Sequence, residues 1–230
     1  MRSKDTILAT KDPSKGITKK TGNLGRPEGI TRNREEILDA AEACFAETGY
    51  AGTSLRTITM ATGVTQAMVT YYFGSKRELF RQVYLRRGQE LKRERMEALS
   101  DVLSRPAFSV RDVLRAYLIP TFKLLSTQQG KYFLRLQARI HTEPDDLAYE
   151  LRQEVYDLPV RSYVGALGSL LPRLSEKTIY IRFTQMIGIY LYILSGAHRL
   201  DQISEGKYDI PDPAEMIEEI VEFTAKAMSE

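Results

Sequence analysis

The sequence predicts an all-α protein. Apolar residues recur at intervals of three and four along most of the 230-residue chain, which is the spacing of one face of a helix. No segment alternates apolar and polar residues convincingly enough to predict a strand. Serine, threonine and glycine separate the periodic segments, as they do where helices begin and end. We therefore expect several short helices followed by longer ones.

Composition excludes several classes of protein. The chain is 43% hydrophobic, which is enough to bury a core. No run of 18 apolar residues is present to span a membrane, and no apolar segment follows the N-terminal lysines, so we expect neither a membrane partner nor a signal peptide. The single cysteine cannot form an internal disulfide, which is consistent with a cytoplasmic location.

Positive charge is concentrated in the first part of the chain. Residues 1–95 carry 18 Lys and Arg against 11 Asp and Glu, whereas residues 96–230 carry 15 against 19. A basic segment favours binding to a polyanion such as nucleic acid. A solvated, lysine-rich tail is the alternative interpretation.

Residues 1–31 are predicted to be a disordered basic arm, because they contain too few large apolar residues to offset the entropy of ordering. Gly25, Arg26 and Pro27 are similar to the core of an AT-hook. An extended arm with one arginine can enter a narrow A·T minor groove. A flexible leader containing a chance tripeptide is the other interpretation.

A first helix is predicted after the arm, ending near Gly49, since glycine suits the left-handed conformation at a helix C-terminus. Thr53 or Ser54 is expected to cap a second, short helix. The apolar face of the first helix contains Ile37, Ala40, Ala41, Cys44 and Phe45.

Two further helix starts follow closely. Gly63 permits a sharp turn, after which Thr65 is expected to cap a third helix. Ser75 and Glu78 have the S-x-x-E spacing of a capping box and predict a fourth helix, to about Leu99.

The rest of the chain also has helical periodicity. Pro120 and Pro159 lie inside periodic segments, where proline is expected to kink or split a helix. The predicted helices are 109–126, 128–141, 145–171, 175–200 and 213–228.

The succession of short helices and glycine turns indicates a helix-turn-helix unit, whose third helix lies in the major groove of DNA. Helical spacing directs Val64, Met68 and Val69 towards a core. The opposite face holds Gln66, Ala67, Thr70 and Tyr71. Glutamine can bond an adenine edge or a phosphate, and tyrosine hydroxyls suit contacts with the DNA backbone.

Residues 32–84 resemble the DNA-binding domain of the TetR family of transcriptional regulators. The resemblance rests on "ILDAAEACFAETGYAGTSLRTI" and "ATGVTQAMVTYYFGSKRELF". Thr70 stands where the family usually has a tyrosine, and Thr59 where it usually has an alanine. The resemblance implies DNA contacts from Arg56, Thr65, Gln66, Ala67, Tyr71, Tyr72 and Lys76. With the neighbouring polar candidates and the arm, the predicted set also includes Arg26, Arg32, Thr53 and Thr70.

Residues 85–230 are expected to form a helical domain for regulation and dimerisation. Two helix-turn-helix units read two half-sites, and the apolar faces of 175–200 and 213–228 are candidates for a four-helix interface, as in the resembled family. An ordinary monomer core is the alternative. Aromatic and cationic side chains of this domain could line a pocket for a small-molecule effector of unknown identity, although an aromatic stripe is more often core. The candidates are Tyr117, Phe122, Phe133, Arg135, Arg139, His141, Tyr163, Arg182 and Tyr190.

No catalytic or cofactor motif is present, and the two histidines lack the paired spacing of a zinc site. We therefore expect no enzyme activity, metal or cofactor. The sequence predicts a homodimeric DNA-binding regulator, a repressor released from its operator by an effector. Two alternatives stay open: an architectural or constitutive DNA-binding protein without an effector, and a helical enzyme or ligand carrier that kept a vestigial DNA-binding domain.

Overall fold

The computed structural model describes residues 28–141, 143–195, 199–209 and 211–229. Over these residues the chain forms ten α-helices and one short 3-10 turn, without a strand, which confirms the all-α prediction. None of these helices has the length and apolar character needed to cross a membrane. The helices are α1 (Glu28–Gly52), α2 (Leu55–Thr62), α3 (Gln66–Phe73), α4 (Lys76–Leu103), α5 (Val110–Lys123), α6 (Gln128–Arg139), α7 (Asp145–Leu170), α8 (Glu176–Leu194), α9 (Leu200–Ile203) and α10 (Pro213–Ser229).

Side-chain caps fix the starts of the short N-terminal helices. The hydroxyls of Ser54, Thr65 and Ser75 accept hydrogen bonds from the backbone three residues later, which satisfies an otherwise orphaned N–H. A capping box would also have the Glu78 carboxylate accept from the backbone N–H of Ser75. That carboxylate instead accepts from the Gln82 amide at 2.8 Å.

Gly49 changes the direction of α1. Its φ of 73° and ψ of 178° are not helical, and the chain adds only a last turn beyond it. Gly63 ends α2 in the left-handed region with φ 73°. Both positions require glycine's conformational freedom, and the turns they form let α2 pack against α1 and α3 against α2.

Both proposed domain boundaries fall inside helices. α1 already begins at Glu28, so the boundary between residues 31 and 32 lies in its first turns. α4 runs unbroken from Lys76 to Leu103 through the boundary placed at residues 84 and 85. The reason is that the apolar stripe of α4 continues, and its first half packs on α1 while its second half packs on α5.

The described residues form two hydrophobic cores. The N-terminal core joins α1–α4 to one side of α6 and α7, and the second core lies among α4, α5, α7, α8 and α10. α4 and α7 approach closely where Gly88 faces Val155. The N-terminal helices therefore share a core with α6 and α7 rather than forming a separately tethered unit.

Of the two outcomes expected at the internal prolines, a kink or a split, the split does not occur. α5 continues through Pro120 and α7 through Pro159, and both prolines are buried. Packing of buried neighbours such as Leu118 and Phe122 outweighs the one backbone hydrogen bond that each proline removes. The helix predicted over 175–200 is shorter, since α8 ends at Leu194.

Candidate functional site

α3 presents one polar face to solvent. Val69 and Phe73 are buried against the N-terminal core, which anchors the helix. The opposite face, formed by Gln66, Ala67, Thr70 and Tyr71, is exposed, as the helical spacing predicts. The small Ala67 leaves room for close approach of a ligand surface between the longer side chains.

The two tyrosines of α3 have different environments. Tyr71 is 80% exposed, whereas Tyr72 is partly buried and its ring lies 6.1 Å from that of Phe73. The Tyr71 and Tyr72 rings meet edge to face at 5.4 Å. Tyr72 therefore supports Tyr71, and Tyr71 is the one free to reach a partner.

Positive charge lies beside this face. Lys76 is the first residue of α4, and its ammonium lies 4.3 Å from the centre of the Tyr50 ring. A helix N-terminus adds partial positive charge and free N–H groups, which suit a phosphate. Arg56, on the helix that precedes α3 in the chain, is also exposed.

One predicted DNA contact is wrong, and two lie outside the description. Thr53 is 2% exposed and its hydroxyl donates to the carbonyl of Gly49 at 2.8 Å, so it holds the α1–α2 turn instead of facing solvent. Its polarity suggested a contact, but the closing turn after Gly49 buries it. Arg26 lies outside the described residues, as does the side chain of Arg32.

A cavity of about 590 Å³ lies among α5–α8. Its volume is within the range of small-molecule sites. Three of the predicted pocket residues, Tyr117, His141 and Tyr190, line it. The complete lining is Tyr117, Gln137, Ile140, His141, Arg152, Tyr156, Asp157, Val160, Arg161, Tyr180, Thr184, Ile187, Gly188, Tyr190 and Leu191.

The other predicted pocket residues do not line this cavity. Phe122, Phe133 and Tyr163 are core residues, because helical spacing alone cannot separate an aromatic core stripe from a pocket wall. Arg139 is exposed and donates to the Glu47 carbonyl at 3.1 Å. The remaining two also lie elsewhere, with Arg135 on a separate, smaller cavity and Arg182 partly buried.

A polar network stands behind the cavity wall. The Arg95 guanidinium donates to the Tyr117 carbonyl at 3.3 Å, the Thr121 hydroxyl at 2.7 Å and the Tyr190 hydroxyl at 3.2 Å. Its carbon centre lies 3.7 Å from the Tyr117 ring centre. The Gln137 carbonyl oxygen is buried without a partner, and the Tyr117 hydroxyl, close to that of Tyr190, makes no hydrogen bond of ordinary geometry. The network is therefore incomplete where it meets the cavity.

Burial controls the protonation of the cavity wall. It raises the pKa of Tyr117 well above 10, so this phenol stays protonated. Burial, helped by Arg152, lowers the pKa of His141 below its usual 6.5. The imidazole is therefore neutral at pH 7.

Sequence reasoning missed most of the cavity wall and Arg95. A signal was present: Arg152, Tyr156 and Val160 repeat at intervals of four on α7. Arg95 interrupts the buried stripe of α4 between Leu91 and Leu99. An arginine at an apolar position of a helix indicates a buried polar role.

An exposed short helix that follows a Gly-Val turn and packs against the helices before and after it defines a helix-turn-helix DNA-binding protein. Residues 37–83 match the family model for bacterial regulatory proteins of the tetR family. Residues 115–227 match the model for the tetracyclin repressor-like C-terminal domain. The chain belongs to the TetR family of transcriptional regulators, which confirms the resemblance seen in the motifs.

Individual relatives are similar over limited lengths. The HTH-type transcriptional repressor AcnR of Corynebacterium glutamicum is 44% identical over 50 residues, 22% of this chain and 27% of AcnR. The repressor Rv1474c of Mycobacterium tuberculosis is 30% identical over 118 residues, 50% of this chain and 55% of that protein. The chain thus spans about a quarter to about half of these relatives. A TetR-family regulator from Bordetella parapertussis shares the fold, with a TM-score of 0.62 and 18% identity over 83% of this chain and 93% of that one.

Proposed function

We propose that this chain is a homodimeric repressor that binds an operator through α3 and leaves it when a small molecule occupies the cavity among α5–α8. One observation carries the proposal: an anchored helix with an exposed polar face and a cavity of about 590 Å³ occur on one continuous scaffold. The protein acts by binding and not by catalysis. Its DNA partner places its action in the cytoplasm.

The exposed residues divide the work of DNA recognition. Gln66 at the start of α3 reads a base edge, because the N-terminal residues of a recognition helix reach deepest into the groove. Tyr71 and Lys76 bind the DNA backbone, because hydroxyl and ammonium groups suit contacts with phosphates. Two such units in a dimer read half-sites about one helical turn apart.

Two single substitutions test this division. Gln66→Ala removes a base contact and should lose roughly 1–3 kcal/mol of discrimination at one operator position. Lys76→Ala removes a backbone contact, so it should weaken all sequences about equally and lower the salt slope by about one. Fluorescence anisotropy with the gene's own promoter and single-base variants of it measures both. Equal losses on every sequence for Gln66→Ala would show that it contacts only the backbone.

The exposed apolar faces of α8–α10 support a dimer. Phe223 of α10 is 65% exposed, and it borders a groove with Tyr192 of α8 and Ile203 of α9, which are also exposed. A contiguous apolar surface of this kind is typical of an interface. Ile220 lies in the predicted interface segment 213–228, but it is 3% exposed and belongs to the chain's own core. Tyr190, in the other predicted segment, 175–200, is also buried.

The exposed and buried positions on α10 make a matched pair. Phe223→Glu should give folded monomers, because it places a charge on the outer face only. Ile220→Glu should instead unfold the chain, since it buries an unpaired charge. Sedimentation with circular dichroism separates the two outcomes, and a gel shift should show that the Phe223→Glu monomer loses operator binding. A folded Phe223→Glu protein that remains dimeric would place the interface elsewhere.

One segment connects the cavity with the DNA-binding helices. Ile140 and His141 line the cavity directly after α6. On either side of them, Arg139 donates to the carbonyl of Glu47, and Glu143 accepts from the Tyr50 N–H at 3.0 Å. A ligand that binds one position of this segment better than another would shift the end of α1 and thereby α3.

The effector step is tested with a panel of metabolites. Thermal shift finds ligands, and loss of anisotropy from a labelled operator shows whether they release DNA. Ligands that bind the cavity and release the operator support the proposal. Cavity ligands that bind without any effect on DNA affinity would favour constitutive DNA binding.

A further inference from the structure

Arg95 is a buried cation without an anion beside it. Its side chain is 1% exposed, and its guanidinium donates only to neutral oxygens, those of Tyr117, Thr121 and Tyr190. No carboxylate in the described part of the chain forms an ion pair with it. Arginine stays protonated in proteins, and an uncompensated buried charge destabilises a fold. Its place one layer behind the cavity suggests what compensates it.

The wall between Arg95 and the cavity is rich in hydrogen-bond donors. The Tyr190 hydroxyl accepts from Arg95 and, at 3.5 Å, from the Gln137 amide, which leaves its own proton to donate. The buried Tyr117 hydroxyl lies close to that of Tyr190 but makes no hydrogen bond of ordinary geometry. If the oxygen and nitrogen of the Gln137 amide exchange places, the Tyr190 hydroxyl donates to the Gln137 oxygen. The Gln137 NH₂ group then becomes the donor available to a ligand. In either orientation the wall can turn hydroxyl or amide donors towards a ligand, backed by the positive charge of Arg95.

The remaining lining combines apolar side chains with a second excess of positive charge. Arg152 and Arg161 stand on the wall against one carboxylate among the lining residues, Asp157. Asp157 pairs with Arg161 at 3.3 Å, whereas Arg152 meets the neutral His141 at 3.3 Å. Apart from Thr184 and Gly188, the rest is aromatic and aliphatic, so the cavity suits a largely apolar body that carries a negative group.

We propose that the ligand of this cavity is an amphipathic carboxylate, an inference that rests on the effector function proposed above. Its carboxylate lies against Tyr117, Tyr190 and Gln137. Arg95 acts as a positioning residue that supplies charge through the Tyr190 hydroxyl, and the apolar body extends towards α7 and α8. Hydrogen bonds to an ionised acceptor are roughly twice as strong as those between neutral groups. An anion is therefore bound more tightly than a neutral molecule of the same shape.

Matched ligands test the charge requirement on the full chain without DNA. Octanoate, decanoate, dodecanoate and 2-naphthoate are each compared with their primary amides by calorimetry and thermal shift. For the bodies that fit, the carboxylate should bind about tenfold or more tightly than its amide, because the amide has the shape without the charge. Equal affinities overturn the proposal, and so does the failure of every carboxylate to bind at millimolar concentration.

Two variants separate recognition from a purely structural role. Tyr117→Phe removes a buried hydroxyl that makes no hydrogen bond of ordinary geometry, so the melting temperature should change by no more than about 2–4 °C. The same variant should reduce the carboxylate-to-amide affinity ratio by about three- to tenfold. Arg95→Met removes the charge and should bring that ratio close to one. An unchanged ratio in both variants assigns the network to packing alone and overturns the proposal; if Arg95→Met does not fold, Tyr117→Phe decides.

Operator release is measured separately, so that failure of the two proposals can be distinguished. A carboxylate that binds with the expected preference but leaves the operator complex intact supports the ligand class and contradicts the effector function. Release by carboxylates and by their amides at equal concentrations supports the effector function and overturns the carboxylate assignment.

Discussion

The close approach of α4 and α7 makes Gly88 intolerant of even one added carbon. A Cβ built on Gly88 would lie 2.7 Å from Cγ2 of Val155 and 3.2 Å from its Cγ1. Val155 is itself buried, and a β-branched side chain has little rotamer freedom in a helix. Gly88→Ala therefore forces the two helices apart or strains Val155.

Gly188 of α8 is the matched control. A Cβ built there meets nothing within 4 Å. Both substitutions gain about 1 kcal/mol of helix propensity, but only Gly88→Ala also incurs an overpacking cost of about 1–3 kcal/mol. Gly188→Ala should thus stabilise the chain by about 1 kcal/mol, and Gly88→Ala should fall about 1–3 kcal/mol below it.

Urea unfolding at one fixed protein concentration measures this difference, since concentration affects the stability of a dimer. Val155→Ala completes a double-mutant cycle. The Gly88→Ala penalty should largely disappear in that background, with a coupling energy of about 1 kcal/mol or more. Equal stability of Gly88→Ala and Gly188→Ala would refute the close α4–α7 contact.

Three further outcomes are expected. Operator affinity should fall about 10³–10⁵-fold between 50 and 200 mM salt if the dimer makes on the order of 6–10 phosphate contacts; a nearly flat plot of log affinity against log salt contradicts this. Thr53→Val should lower the free energy of unfolding by about 1–3 kcal/mol, because it orphans buried carbonyls, and should leave base discrimination unchanged; altered discrimination in the folded variant would return Thr53 to the DNA surface. The lowered pKa of His141 means that the unfolded chain binds its proton first, so stability should fall as pH drops below 6.5 towards the folded pKa. Unfolding of His141→Gln at pH 7 and pH 5 should show a weaker pH dependence, and an identical dependence would exclude this origin.

Features set by neighbouring residues could be predicted from the sequence. The caps at Thr65 and Ser75 depend on a hydroxyl and a backbone N–H three residues away, and the kink at Gly49 depends on glycine itself. The exposed face of α3 follows from its period of 3.6 residues. Each of these depends on a few adjacent residues, so the sequence contains the whole cause.

Features set by contacts between distant helices could not be predicted in the same way. Phe133 and Tyr190 have similar sequence patterns, yet one is core and the other lines the cavity, because the packing of α6 against α4 and α8 decides which faces meet. Thr53 is buried by a turn whose closure depends on Gly49. Arg95 stood out only as an exception to an apolar stripe, and its neutral partners come from α5 and α8.

The continuity of α4 makes it a rigid connection between the helix-turn-helix unit and the wall behind the cavity. Lys76 at its first turn and Arg95 in the network behind the cavity wall belong to one helix without a break. At 1.5 Å per residue they are on the order of 28 Å apart along its axis. A tilt of about 5° pivoting near Arg95 would therefore displace Lys76 by about 2.5 Å over that length, a shift comparable to a hydrogen bond. In a dimer with a twofold axis the two α4 helices would tilt in opposite directions, so the displacement would double in the distance between the two copies of α3.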